Sequence, residues 1–311
     1  MVAATPAGPF DGEPLQLTVE SRRIAITNPS RALWPSVGFT KAALVAYYVA
    51  VGSAMLPHLV RRPLLLGRWP HGVEARGWGQ FQCRGRPAWM ASYRLELKTG
   101  KVVETCIVND VASLAWVAGQ GTIELHAYLA CEPQLDQPTA VVFDLDPGPP
   151  AGLLEACAVA VRLRDRLAEL GLAAFAKTSG GSGLHVFVPL NAPTTSYAVT
   201  KRFARDLAAE LAARHPQVVV NRMSRALRTG RVFIDWGQND ERKQTIAPYS
   251  LRATPTPLVS APVRWDEVDA AVGSRSAGRL RFAPFDVRHR LETIGDPFSP
   301  VAELTQRLPG P

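Results

Sequence analysis

Hydrophobic periodicity divides the chain into alternating helices and strands. From Thr40 to about residue 56 the apolar residues Leu44, Val45, Tyr48, Val49 and Met55 fall on one helical stripe, with Thr40 as the N-cap. "NDVASLAWVAGQG" repeats that pattern and closes on glycine. "GLLEACAVAVRLRDRLAELGL", ending at Gly171, and "SYAVTKRFARDLAAELAARHP" predict two longer amphipathic helices. Strand-like segments are "LTVESRRIAITN", "TIELHAYL", "VVFDLDPG" and "RVFIDWGQN". In "AAFAKTSGGSGLHVFVPL" a strand passes through a glycine turn straight into another strand. That connection favours an α+β fold of mixed or antiparallel sheets flanked by helices over a doubly wound parallel sheet. Residues 1–18 read as a flexible tail, 19–295 as one domain in two parts (about 19–135 and about 136–295), and 296–311 as a C-terminal tail.

The segment Val141–Leu145 is apolar enough for a buried strand, yet it carries Asp144 and Asp146 and ends at Pro147. Residues i and i+2 of a strand share a face, roughly 6–7 Å apart. The two acids therefore project together, and like charges so placed call for a positive neighbour. A strand cap would account for Asp146 alone. In "RVFIDWGQN" the residues Arg231, Phe233 and Asp235 share one face, which makes Asp235 a third acid at the end of an apolar strand. Three carboxylates on two strand ends match the ligand chemistry of paired Mg²⁺ or Mn²⁺ ions in phosphoryl and nucleotidyl transfer. Whether the two strands are neighbours is left open by the sequence.

"KTSGGSGLHVFVPL" adds a candidate anion site, in which glycine N–H groups and the Ser179 hydroxyl converge on a phosphate. It is not a Walker A loop, and an ordinary glycine hairpin would have the same composition. His185 lies within reach of the same ligand. Arg228 and Arg252 flank the Asp235 strand and either neutralise the acids or bind a triphosphate.

Composition narrows the partner. The chain has 311 residues, 47% hydrophobic and 20% charged, with a net charge of +8. That surplus favours a polyanion, although arginine outnumbers lysine 29 to 6 and compositional bias alone produces such a surplus. The first residues lack the basic and apolar regions of a signal peptide. The longest apolar stretch is broken by Tyr47, Tyr48, Gly52, Pro57 and His58, so no membrane span is expected. Cys83, Cys106, Cys131 and Cys157 form no CxxC pair. Neither a zinc site nor a disulfide framework is expected, and a reducing cytoplasm suits the chain.

Together "ITNPSRALWPSVGFTK", "RRPLLLGRWPHG", "IELH", "VVFDLDPG", "KTSGGSGLHVFVPL" and "GRVFIDWGQN…TIAPYSLR" resemble the polymerase domain of bacterial ATP-dependent DNA ligase D and its stand-alone relatives in the archaeo-eukaryotic primase superfamily. The resemblance runs from about residue 22 to 290. It implies a primase-polymerase fold with a catalytic cleft, an N-terminal DNA-end-binding part and a C-terminal catalytic part. It implies Asp144, Asp146 and Asp235 as catalytic ligands of two Mn²⁺ or Mg²⁺ ions. His126, Ser179, Gly180, His185, Arg228, Gln238 and Arg252 would line the nucleotide pocket. Asn28, Arg31 and Lys41 would grip a DNA 5′-phosphate, aided by backbone N–H groups at the helix start after Thr40. Phe81 would stack on DNA bases. Gly67, Gln80, Cys83 and Ser182 stand where family members often have lysines or an aromatic residue.

The implied protein is a monomeric, cytoplasmic, nucleoid-associated nucleotidyltransferase of DNA repair, in end joining or short-gap filling. It would extend a primer 3′-hydroxyl on gapped or broken duplex DNA with a 5′-phosphate, preferring ribonucleoside triphosphates. With 311 residues the chain leaves no room for a ligase domain, so ligation would fall to a separate DNA ligase, alongside an end-binding protein. Two alternatives compete. A haloacid dehalogenase-type phosphohydrolase also uses a DxD strand, but expects Thr or Val where this chain has Gly148. A non-catalytic DNA-end-binding module of the same fold would be expected to have lost an acid, whereas all three are present.

Overall fold

The computed structural model describes residues 13–192 and 195–310. At its centre is a six-stranded sheet in the order Val219–Val220, Val232–Asp235, Ala140–Pro147, Leu184–Pro189, Phe175–Thr178, Pro262–Val263. Every pairing is antiparallel except that of the first two strands. The sequence "KTSGGSGLH" forms the hairpin between two of these strands, as its glycine turn predicts. A four-stranded sheet stands beside it, in the order Gln244–Ile246, Thr122–Tyr128, Leu64–Arg68, Trp78–Gln80. Its first strand comes from the later half of the chain, and one hydrophobic cluster runs through both halves.

The faces of the Ala140–Pro147 strand explain its mixed composition. Val141, Phe143 and Leu145 are fully buried in the main core, which also contains Leu163 of the helix Leu153–Glu169. On the other face Ala140 and Val142 join Phe187, Tyr197, Phe298 and Val301 in a second cluster. That face then turns polar, with Asp144 and Asp146 on the same side as Val142.

Several expectations change. Part of the supposed tail, Leu15–Val19, pairs with Arg22–Ile26 as a hairpin, so "LTVESRRIAITN" is two strands. Residues 1–12 of that tail lie outside the described residues. The expected C-terminal tail carries the helix Ser299–Glu303, and its Phe298 and Val301 cover the apolar part of the Ala140–Pro147 strand. The helix Lys41–Met55 is capped by Thr40 as read, but Lys41, Tyr47, Val51, Gly52 and Ala54 are buried beyond the expected stripe. It packs against two helices, Val111–Gly119 and Pro284–Ile294. Its tyrosine hydroxyls donate inward, Tyr47 to the Tyr249 carbonyl and Tyr48 to that of Ile123.

Cys83 and Cys106 form a disulfide, against expectation. Backbone pairing of Gln82 with Thr105 brings the two segments together, with the cysteine Cα atoms 5.0 Å apart, within bridging range. Cys131 and Cys157 are free. No helix among the described residues is long and apolar enough to cross a membrane.

Candidate active site

Strand order brings the three acids together. Asp144 pairs in register with His185 on one neighbouring strand and with Asp235 on the other. Lys177 pairs with His185 one strand further out. Paired residues share a face, so Lys177, His185, Asp144 and Asp235 make one row across four strands. Asp146 lies two residues along from Asp144.

Each acid has its own partner. His185 Nε2 lies 3.3 Å from Asp144 Oδ1. Burial would raise the Asp144 pKa, but the neighbouring His185, Lys177 and Arg252 hold it below its ordinary value. Burial and the Asp144 charge push Asp146 up to about 6, against the pull of Arg228, whose Nη1 is 3.7 Å away. Asp235 is raised by burial and by Asp144, although the Gly237 N–H donates to it at 2.8 Å. Gln238 Nε2 lies 3.5 Å from the same carboxylate. Among the described residues no three acidic, histidine or cysteine side chains are placed to hold a metal ion. The donor set still fits a hard divalent cation. It offers only carboxylate oxygens, and the mutual repulsion that raises two of them is what a cation would relieve.

Two residues that the sequence reading missed organise this row. Lys177 is fully buried, and its Nζ lies 3.2 Å from His185 Nδ1 and 2.6 Å from Ser260 Oγ. An ionised Asp144 on the other side of the ring requires an Nε2–H, so Nδ1 accepts from Lys177 and the tautomer is set. Burial, reinforced by Arg252, pulls the Lys177 pKa well down, against the charge of Asp144. Asn239 is also fully buried. Its Oδ1 accepts from the Val142 N–H at 2.9 Å, and its Nδ2 donates to the carbonyls of Val142 at 2.7 Å and Trp236 at 3.0 Å. It thereby fastens the turn after Asp235 to the strand of the other two acids. The sequence signal for it was its place in "WGQN", four residues beyond a strand's end.

The expected anion loop differs in detail. The N–H groups of Gly181 and Gly183 do converge, but on Ser179 Oγ, at 3.2 and 3.1 Å. The hydroxyl hydrogen of Ser179 is then the donor left for a ligand. Gly180 has φ +75°, and a Cβ there would lie 2.5 Å from Arg252 Cγ, so Arg252 passes directly over the turn. Its Nη1 donates to the Ser179 carbonyl at 3.3 Å. Arg228 lies over the Phe233 ring at 3.8 Å, and its backbone carbonyl would meet a Cβ on Gly148 at 2.1 Å. The glycine of "DLDPG" therefore permits Arg228 to approach Asp146. His126 sits on the adjoining sheet, its Nε2 2.9 Å from Glu124.

The DNA-end candidates also assemble. Asn28, at φ 49°, turns the chain so that Arg31 lies beside the start of the Lys41–Met55 helix. The helix-start N–H groups are not open to an anion, however. Lys41 N–H donates to the Arg31 carbonyl, Ala42 to Pro29 and Ala43 to Thr40 Oγ1. Positive charge at this point comes from side chains. Burial, with Arg31 and Arg68 nearby, lowers the Lys41 pKa to about 8. Arg68 is a third cation that the sequence reading left out, though it belongs to the quoted "GRWPHG". Arg31 Nη1 bonds His71 Nδ1 at 2.8 Å. Phe81 is half-buried, packed against the cluster of Leu95, Val103 and Tyr128. The exposed ring is Trp78, 45% accessible, with the Arg68 guanidinium 5.5 Å from its centre.

The chain is similar to known proteins in sequence and fold. Residues 40–298 match the family described as LigD, primase-polymerase domain. The chain is 37% identical over 283 residues to the multifunctional non-homologous end joining protein LigD of Mycolicibacterium smegmatis, across 90% of this chain and 36% of that protein. The Pseudomonas aeruginosa LigD of the same description is 29% identical over 301 residues, 92% of this chain and 34% of that protein. This chain thus spans about a third of the length of these relatives. The solved polymerase domain from Mycobacterium tuberculosis ligase D in complex with DNA superposes with a TM-score of 0.84 at 33% identity, covering 91% of this chain and 99% of that one.

Proposed function

The chain belongs to the LigD primase-polymerase domain family, and from that premise we propose that it is a primase-type polymerase acting in DNA break repair, adding nucleotides to a primer 3′-hydroxyl at gaps and ends. The observation that carries this reading is the pairing of Asp144 with Asp235 on adjacent strands, with Asp146 beside them and His185 in the same row. The solved relative is a complex with DNA, and gapped or broken duplex DNA is the substrate we assign to this chain.

Asp144, Asp146 and Asp235 would hold two Mg²⁺ or Mn²⁺ ions. When bound, such ions lower the pKa of the attacking hydroxyl and stabilise the leaving pyrophosphate. The chain's own groups bind and orient the triphosphate. The Ser179 hydroxyl donates to it, Arg252 lies over the glycine turn as a fixed cation, and Lys177 holds His185 as an Nε2–H donor. Gln238 and Arg228 border the acids, and His126 closes the side towards the second sheet. Lys41, Arg31 and Arg68 hold the 5′-phosphate across the gap, with Asn28 shaping the turn and Trp78 available for base stacking. A preference for ribonucleotides, action as a monomer beside a separate ligase and end-binding protein, and a place at the nucleoid complete the proposal.

Primer extension on a single-nucleotide gap tests it. Wild type should add one nucleotide with Mn²⁺ or Mg²⁺, while Asp144→Asn and Asp235→Asn should abolish addition yet still bind the gapped DNA. Extension by either variant at near the wild-type rate would overturn the reading. Binding without extension by wild type would favour the non-catalytic end-binding module.

A further inference from the structure

Two side chains of the pocket end on the same carboxylate. Glu124 Oε2 accepts from His126 Nε2 at 2.9 Å, and Oε1 accepts from Arg252 Nε at 3.1 Å and from the Ala253 N–H at 3.0 Å. The Glu124 side chain is only 12% exposed. Burial would raise its pKa, but the His126 hydrogen bond and the Arg252 charge hold it down, so it is a carboxylate that accepts from both. The placement follows from the backbone. Glu124 and His126 are two apart on the strand Thr122–Tyr128 and share a face, and the strand Leu251–Arg252 packs beside it.

The contact limits where Arg252 can go. With Nε on Glu124 and Nη1 on the Ser179 carbonyl, the guanidinium plane is fixed over the glycine turn. It also feels the charge of Asp144. Without Glu124 the nearest strong attraction for this arginine would be the acid row, which would withdraw it from an incoming anion.

We propose that Glu124 is a positioning residue that joins His126 and Arg252 into one rigid unit for recognising a nucleoside triphosphate, so that the Arg252 guanidinium and the His126 ring are held in place together. The inference rests on the reading of this pocket as a triphosphate site. Each side chain alone has many rotamers, whereas a shared buried carboxylate fixes both before the ligand arrives. Residues that act through a common partner give non-additive losses.

The test is equilibrium binding of a fluorescent ATP analogue with Mg²⁺, without primer, alongside thermal melting. Glu124→Gln is isosteric and removes the charge. It should weaken binding by about tenfold or more while the melting temperature stays near that of wild type. A purely structural role would lower the melting temperature and leave the affinity of the folded protein unchanged. A second cycle reads the link without touching Glu124. His126→Ala and Arg252→Ala should each weaken binding, and together by clearly less than the product of their separate effects. Wild-type affinity in E124Q, or full additivity of the H126A and R252A effects, overturns the proposal. Failure of wild type to bind the analogue overturns the triphosphate reading itself, a result distinct from either.

Discussion

Lys41→Met probes the 5′-phosphate site where its electrostatics are most unfavourable without a ligand. Lys41 is 5% exposed and lies near Arg31 and Arg68. Its pKa falls from 10.5 to about 8, which at about 1.4 kcal/mol per unit means that holding the ammonium there costs about 3 kcal/mol. The cost is full below pH 8 and is relieved as pH rises from about 8 to 10.5. A terminal phosphate offsets it, and a charge-assisted contact of this type contributes about 1.5–3 kcal/mol, or roughly 10- to 100-fold in affinity. The assay is fluorescence anisotropy on two gapped duplexes that differ only in a downstream 5′-phosphate or 5′-hydroxyl, at one salt concentration. Wild type should prefer the phosphate by that factor. K41M should lose the preference and keep its affinity for the hydroxyl end; it removes a costly buried charge but also the Nζ bond to the Thr27 carbonyl at 2.6 Å, so its melting should stay close to that of wild type. The ammonium is the binding form, so the preference should be full near pH 7 and fall as pH rises through about 8. A phosphate monoester is already mostly a dianion there, its second pKa being about 6. Equal wild-type affinity for the two ends, equal weakening of both by K41M, or a preference that does not change with pH would each refute the reasoning.

The two aromatic residues near this site separate cleanly. Trp78→Ala should weaken gapped-DNA binding by about 1–3 kcal/mol with melting unchanged, as expected for loss of a stacking ring. Phe81→Ala should instead lower stability by about 2–3 kcal/mol and leave the DNA affinity of the folded protein intact; the opposite pattern in the two binding titrations would return the stacking role to Phe81. Asn239→Ala should cost about 2–3 kcal/mol in denaturant unfolding, because it leaves the Val142 N–H and carbonyl unpaired. It should also lower kcat more than it raises nucleotide KM, since Asp235 loses its anchor; a change confined to KM would disprove that link.

How much of this was legible in the sequence depends on the range of the interaction. The Ala140–Pro147 strand, its two acids and its proline stop are local features, and period-two alternation placed them correctly. The row Lys177–His185–Asp144–Asp235 is not local. No pattern within the strand specifies which strands will flank it, and the answer lies in pairings across about forty to ninety residues. Lys177 was invisible for the same reason: its acceptor, Ser260, is 83 residues away. The first helix showed its stripe, but burial of Tyr47, Val51 and Gly52 depends on two other helices. Phe81 was singled out by the resemblance alone, and nothing local announced that the hairpin Ser92–Glu96/Val102–Cys106 would bring Leu95 and Val103 against it. Cysteine spacing could not reveal a disulfide made by that same hairpin folding back on Gln82.

The two candidate sites share one electrostatic logic with opposite signs. At one, burial raises Asp146 and Asp235, and three carboxylates sit close enough that Asp144 raises both further. At the other, burial lowers Lys41 and Arg31 and Arg68 add to it. Neither arrangement helps the fold in isolation, because like charges brought together destabilise the native state relative to an extended chain. Only a ligand of the opposite charge makes them favourable, and such a ligand binds the native state alone. By linkage, divalent cations should stabilise the protein through the acid row, and a 5′-phosphorylated gap should stabilise it through the cation cluster. The two gains should be separable: D144N removes the first and K41M the second. Surface charge with no ligand role would show neither, because spreading charges apart is the ordinary way a fold avoids that cost.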